Sequence, residues 1–365
     1  MTIHRWVLAP LVALGAIAAG VTVAVADQVV RVRRTPRYPH KVVAVDNDTV
    51  TLARNRGTQR PGTYGLAWSG GHGVVGDVIA GTPDTVIRPL VRIDRGELVP
   101  CKVALDHVDI GDPRRAFGID FDEVILDGEL GEVPAWHVEG DPSTWVIVVH
   151  GYGGKRSSSL SFIPMLMDIG VSILVPSYRN DPDAPASPDG RYHLGATEWR
   201  DVEAAVELAV TRGAERVVLF GWSMGGAVSL QCYANSKLRP VIASLVLDSP
   251  VVDWRRTLEY LSVRRHVPVF IARAAMVLVE RWIDVDFDDF DWVQRSDEID
   301  VPVLIISGDD DLTVPWQPSS DLSARRSDLV SLELFAGAGH VGSWNLDPDR
   351  YATLLSEFFA RTLDH

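Results

Sequence analysis

Cysteine is nearly absent from this chain: Cys101 and Cys232 are the only two in 365 residues. Two thiols cannot build a disulfide framework, and no arrangement in the sequence supports a Cys–His nucleophile. Cys232 falls in a small-residue helical stretch, where a thiol serves as a small buried hydrophobe. A surplus of positive charge is absent too. Asp and Glu number 49 against 35 Lys and Arg, a formal charge of −14, which argues against nucleic acid as a partner. No internal repeat or low-complexity block interrupts the chain. Its 46% hydrophobic and 23% charged residues are those of a packed globular protein. At this length one large domain or two unequal ones are expected.

Residues 6–26 lack any ionisable side chain, over a length that matches the roughly 20 residues needed to span a bilayer. An N-terminal transmembrane helix within residues 1–30 is therefore expected, which makes the membrane a partner and the cell membrane the location of a single-pass protein. The flank that follows is basic, with Arg31, Arg33, Arg34, Arg37 and Lys41, and the positive-inside rule places it in the cytoplasm. Ala24-Val25-Ala26 before Asp27 reads the other way, as a signal cleavage site that would leave a secreted chain. The apolar run exceeds the roughly 7–15 residues usual for a signal peptide, which favours the retained anchor.

Between residues 38 and 112 short β-branched runs alternate with turn residues. Residues 41–45 and 49–52 flank Asp46-Asn47-Asp48 as a hairpin, and further runs lie at 73–79, 86–93 and 101–108. A small β-rich module is expected. His72, alone in a glycine-rich turn, is assigned no chemistry.

From residue 116 to 365 the rhythm changes to alternating strand and helix. Residues 121–126 and 133–138 read as an antiparallel pair. The nearly unbroken apolar run 145–149 is what a strand buried on both faces of a parallel sheet requires. Further strands are expected at 171–175, 242–247, 303–306 and 331–335, and helices up to Ile169 and over 196–211 and 348–362. This alternation predicts an α/β fold, a doubly wound and mostly parallel sheet with helices on both faces. An excursion at about 249–300 holds an apolar helical piece (267–283) and an acidic-aromatic run (284–292). Inserted at the carboxyl side of the sheet, it forms a helical lid over any site there.

The chemistry centres on residues 214–234. The run Val217-Val218-Leu219-Phe220 stops at Gly221-Trp222-Ser223-Met224-Gly225, and a small-residue helix follows. Strand, sharp turn and helix around G-x-S-x-G hold a serine hydroxyl exposed at the top of a sheet. An acyl-transfer serine needs a base, an acid that orients the base, and N–H donors for the oxyanion. Asp309, Asp310 and Asp311 lie at the end of one later strand. His340 lies in a glycine-rich loop after the next, and Val149-His150-Gly151-Tyr152-Gly153-Gly154 ends an earlier one. All converge on one end of the expected sheet.

With these motifs the chain resembles the α/β-hydrolase fold serine hydrolases, in particular the bacterial esterase and prolyl-oligopeptidase-like branch, over residues 116–365. The resemblance implies Ser223 as nucleophile and His340 as general base. The family's G-x-x-D-x-x-V-P spacing falls on Gly308, Asp311, Val314 and Pro315, which makes Asp311 the acid; Asp309 and Asp310 become solvated or helix-capping neighbours. Asp248 is the alternative acid. The resemblance further implies oxyanion donors from the N–H groups of Tyr152 and Met224. His150 is expected to pack under the oxyanion loop and His193 to be an exposed loop residue. Met276, Leu278 and Trp282 fit an acyl pocket or plain lid packing equally well. A dehalogenase or epoxide hydrolase would need an aspartate in place of Ser223. The reading is a serine hydrolase of the esterase or lipase type, without metal or organic cofactor, whose partner is a small ester or short acyl or peptidyl substrate. A peptidase or amidase with the same triad and a non-catalytic membrane-anchored binding protein are the rival readings.

Overall fold

A computed structural model of the chain describes the backbone of residues 4–363 and, within the first helix, side chains from Ile17 onward. That helix, α1 (His4–Val30), leads into seven strands: β1 (His40–Val45), β2 (Thr49–Ala53), β3 (Tyr64–Trp68), β4 (Gly71–Val75), β5 (Ala80–Gly81), β6 (Thr85–Arg95) and β7 (Lys102–Asp106). They form one sheet in the order β2-β1-β7-β3-β4-β6-β5, and β2 pairs back onto β6, so the sheet curls into a barrel-like module. Val42, Val50, Leu52, Leu66, Val86 and Val103 alternate into its core, all fully buried. Arg88 is buried as well, with its guanidinium donating to the carbonyls of Thr58, Gly62 and Gly76. Strand β3 had no clear signal in the sequence. Gly65 interrupts it and it is buried along nearly its whole length, so it shows no alternation.

The second sheet follows a short helix α2 (Pro113–Phe117). Its elements are β8 (Asp122–Gly128), β9 (Gly131–Val138), β10 (Asp141–Val149), α3 (Ile163–Ile169), β11 (Val171–Pro176), α4 (Trp199–Thr211), β12 (Arg216–Trp222), α5 (Met224–Asn235) and β13 (Ile242–Asp248). After them come α6 (Trp254–Arg264), α7 (Val269–Ile283), β14 (Val303–Gly308), α8 (Gln317–Arg325), β15 (Val330–Phe335), α9 (Ser343–Leu346) and α10 (Pro348–Leu363). The strand order is β15-β14-β13-β12-β10-β11-β9-β8, antiparallel at β8–β9 and β9–β11 and parallel elsewhere. Side chains alternate between two cores. Ile147 and Val149 face α4, α5 and α7, while Val146 and Val148 face α3 and α10. That two-sided burial is why the central strands read as continuous apolar runs.

The expected transmembrane helix, and with it the single-pass location at the cell membrane, is corrected here. Among the described residues no helix is long and apolar enough to cross a membrane. Residues 6–16 of the expected span lie outside the described side chains, and residues 17–30 alone are shorter than the roughly 20 a span needs. The last turns of α1 pack on protein. Ala26 and Val30 are fully buried in the core shared with α7. The Tyr192 N–H donates to the Val30 carbonyl at 2.9 Å, and the Tyr152 hydroxyl donates to the Arg31 carbonyl. The apolar face formed by Val25, Ala26, Val29 and Val30 is covered by the chain's own lid, while Ile17, Val21 and Val23 stay exposed.

Candidate active site

Strand β12 is paired on both sides in the middle of the larger sheet, and Ser223 is its first residue beyond the end. The backbone there turns to φ 55°, ψ −122°, a conformation that costs on the order of 1–3 kcal/mol for a residue with a Cβ and persists only when its surroundings hold it. They do. The Ser223 N–H donates to the Asp248 carbonyl at 2.9 Å, and the Ser223 carbonyl accepts from the N–H groups of Gly226 and Val251 at 3.1 Å each. The glycines are required by space: a Cβ at Gly221 would lie 2.3 Å from the Gly225 oxygen, and one at Gly225 2.2 Å from that of Val149. The G-x-S-x-G pattern is thus a packing requirement of strand and helix crossing at the turn.

The structure brings Ser223, His340 and Asp311 together from three strand ends. His340 Nε2 lies 2.9 Å from Ser223 Oγ, and its Nδ1 lies 2.7 Å from Asp311 Oδ2. Asp311 follows β14 and its side chain is 1% exposed, whereas the His340 ring keeps 21%. The other Asp311 oxygen accepts the N–H groups of Thr313 and Val314 at 2.7 and 2.9 Å, which fixes the carboxylate plane. Asp310 is exposed. Asp309 is exposed too but is more than a solvated neighbour: it accepts the Gly337 N–H at 2.6 Å and ties down the loop that carries His340. The β module reaches α9, just after that loop, through reciprocal bonds between Thr63 and Asn345.

Asp248 is fully buried and bonds elsewhere. It accepts the hydroxyls of Ser249 and Tyr351, each at 3.0 Å. Burial pushes its pKa up to about 6, against the opposing pull of those two hydroxyls. Ser249 Oγ in turn accepts the Val341 N–H at 3.1 Å, so Asp248 holds the backbone beside His340 without touching the ring. Sequence reading missed Ser249 and Tyr351, because the contact joins segments about a hundred residues apart.

The loop after β10 passes directly over the serine, where a Cβ on Gly151 would come within 3.1 Å of Ser223 Cβ. The Met224 N–H opens α5, where a helix offers it no internal acceptor. Among the described residues the Tyr152 N–H has no partner either. Beneath this loop His150 is fully buried. Its Nε2 donates to Asp181 at 2.7 Å and its Nδ1 to the Gly151 carbonyl at 3.0 Å, while Tyr178 stacks on the ring. Since carboxylate and carbonyl oxygens only accept, these surroundings favour the doubly protonated ring. Burial opposes that charge, but Asp181 overrides it and raises the His150 pKa. His193 is only partly exposed, 3.2 Å from Asp189, and His72 pairs with Asp94 in the β module; neither joins the site. Among the described residues no group of three or more His, Cys, Asp or Glu side chains is placed to hold a metal ion.

A cavity of about 540 Å³ opens on Ser223, Met224, Tyr152 and His340. Its walls are mainly apolar side chains of the lid, Met276 and Trp254 among them, with the hydroxyls of Thr257 and Ser262; Leu278 and Trp282 lie outside it, half-buried against the core. One wall is α1, through Val25, Gln28 and Val29, with Arg33 just beyond. Nothing in the sequence signalled that wall, because an apolar run does not say what covers it.

A family model described as the alpha/beta hydrolase family matches residues 146–354. The chain belongs to this family. A second model, described only as a domain of unknown function, matches residues 41–106, the barrel-like module of this hydrolase. An uncharacterised protein of Mycobacterium tuberculosis is 28% identical over 233 residues, covering 62% of this chain and 73% of its own. An uncharacterised protein of Escherichia coli, YfhR, is 22% identical over 215 residues, covering 58% of this chain and 67% of its own. Among solved structures, the Pyrococcus furiosus esterase Pf2001 is similar with a TM-score of 0.56 at 19% identity, over 71% of this chain and 97% of that one. Est1E from Butyrivibrio proteoclasticus, solved with ferulic acid bound, is similar with a TM-score of 0.52 at 19% identity, over 66% of this chain and 100% of that one. At such identity these two structures speak for the shared fold.

Proposed function

We propose that this hydrolase cleaves carboxylic esters through an acyl-enzyme on Ser223. The observation that carries the reading is the continuous line Ser223 Oγ, His340 Nε2, His340 Nδ1, Asp311 Oδ2, with bonds of 2.9 and 2.7 Å, at a strained strand end that opens into the apolar cavity. His340 Nε2 takes the Oγ proton as Ser223 attacks the carbonyl carbon, and its Nδ1–H stays on Asp311, which stabilises the imidazolium. The tetrahedral oxyanion sits against the Tyr152 and Met224 N–H groups; a single donor of this kind contributes about 2.7–4 kcal/mol to the transition state. Collapse releases the alcohol with the proton from Nε2. Water enters and loses a proton to Nε2 as its oxygen attacks the acyl carbon, and collapse frees the acid while Ser223 Oγ takes that proton back. The mainly apolar walls, with no carboxylate among them to receive a free amino terminus, favour an apolar acyl ester over a short peptide. Hydrolysis of a series of p-nitrophenyl esters of rising chain length, beside aminoacyl amides, tests the reading. Ester turnover that vanishes in Ser223→Ala supports it; turnover that survives in a folded Ser223→Ala protein overturns the nucleophile, and amides cleaved faster than every ester overturn the substrate class.

A further inference from the structure

The cavity is apolar but not neutral. Arg33, just after α1, and Arg265, at the end of α6, both line it, and no Asp or Glu does. Among the described residues neither arginine has a carboxylate within ion-pair distance. The nearby Asp27 is bonded to Arg31. The Arg33 guanidinium lies 5.5 Å from the centre of the Tyr152 ring, which lines the same cavity. Two guanidiniums facing one cleft repel each other, and a cleft with low-dielectric walls concentrates their field. Burial, together with the positive charges of Arg33 and Arg37, lowers the pKa of Arg265. A ligand that brings the missing negative charge relieves this repulsion and gains charge-assisted hydrogen bonds, for which guanidinium geometry suits carboxylate and phosphate oxygens.

We propose that Arg33 and Arg265 form an anion subsite of the acyl cavity, so that the substrates of this site are amphiphilic esters that join an apolar chain to a carboxylate or phosphate group. The proposal rests on the esterase reading for the reaction, while the subsite itself is defined by the cavity and its two arginines. It makes α1 and its basic flank a source of specificity: the helix closes the apolar wall with Val25 and Val29 and delivers Arg33 to its rim.

The test compares the mono-p-nitrophenyl ester of suberic acid with p-nitrophenyl octanoate, equal in length and different in charge, on the full chain. The wild type is expected to favour the anionic ester. In Arg33→Gln/Arg265→Gln the ratio of kcat/KM for the anionic over the neutral ester is expected to fall about 10- to 100-fold, mainly through KM, as loss of charge-assisted contacts to one substrate group predicts. Arg265→Glu is expected to push the ratio lower still, and added salt to narrow the wild-type preference. A ratio that is the same in wild type and double variant overturns the subsite. Calorimetric titration with octyl phosphate, octanol and inorganic phosphate reads the same contact without any turnover. Tighter binding of octyl phosphate than of either other probe, lost in the double variant, supports the proposal. Equal binding of octyl phosphate and octanol overturns it, and inorganic phosphate binding as tightly as octyl phosphate overturns the shared apolar-and-anionic site. Loss of all ester turnover in Ser223→Ala bears only on the nucleophile, so the two readings fail separately.

Discussion

Two histidine–carboxylate pairs flank Ser223, and each has a 2.7 Å bond between ring and carboxylate. They differ in what the second ring nitrogen faces. In His340–Asp311 that nitrogen faces a serine hydroxyl, which can give a proton or take one back; the ring keeps partial exposure to the cavity. In His150–Asp181 it faces the Gly151 carbonyl, which only accepts, and both side chains are wholly buried. The first pair is built to move a proton and the second to keep one. Under the proposed mechanism the same two residue types serve the reaction in one place and, in the other, hold the loop after β10. The partner of the second nitrogen decides between these roles.

The sharpest way to break the comparison is to remove each histidine in turn. Under the proposed mechanism His340→Ala lowers kcat on the order of 10⁶-fold, the scale of a serine triad whose members act as a unit, and leaves the melting temperature near that of the wild type. Esterase assays and calorimetric melting on the same preparation check both halves. Next in size is the orienting acid. Asp311→Asn is expected to cost about 10⁴-fold in kcat by favouring the wrong tautomer of His340, while Asp310→Asn changes little and Asp309→Asn, which still accepts from Gly337, only slightly more. A crippled Asp248→Asn beside an active Asp311→Asn would reassign the acid.

His150→Ala should show the opposite signature, a loss of stability. Breaking a buried pair costs about 3–5 kcal/mol, because Asp181 is left buried and charged with only the Tyr178 N–H to bond it, and denaturant unfolding measures it. The pH dependence has a definite sign. The folded pKa of His150 is raised above the ordinary 6.5, so the pair's contribution is complete below that value and lost as pH rises through the folded pKa. The smallest effect belongs to Asp248. Its carboxyl holds a proton more tightly folded than unfolded, with its pKa raised from 3.8 to about 6. Its contribution is therefore full below 3.8 and declines as pH rises to about 6, by on the order of 3 kcal/mol. Asp248→Asn should flatten that decline in unfolding midpoints measured across the same window.

How much of this was legible in the sequence follows from how local each cause is. The clash that requires Gly221 lies within the turn itself, whereas the one that requires Gly225 comes from the end of β10; the turn could still be read from its strand and helix, and the buried strands declared themselves as apolar runs. His340 and Asp311 stood at strand ends, and only the family spacing singled out Asp311 from Asp309 and Asp310. The pairing of His150 with Asp181, and of Asp248 with Tyr351, joins distant segments through single hydrogen bonds that leave no pattern. Helix α1 was misread for a different reason: hydropathy reports that Val25, Ala26, Val29 and Val30 need cover, and lipid or a lid satisfies it equally.

The central claim is that Ser223 carries the acyl group. Its most direct test is to treat the full chain with a fluorophosphonate probe and map the adduct by peptide mass spectrometry, in wild type, Ser223→Ala and His340→Ala. The account predicts a single adduct on the peptide that contains Ser223, absent in Ser223→Ala and formed far more slowly in His340→Ala. An adduct on another residue, or none in a protein that hydrolyses esters, would contradict it.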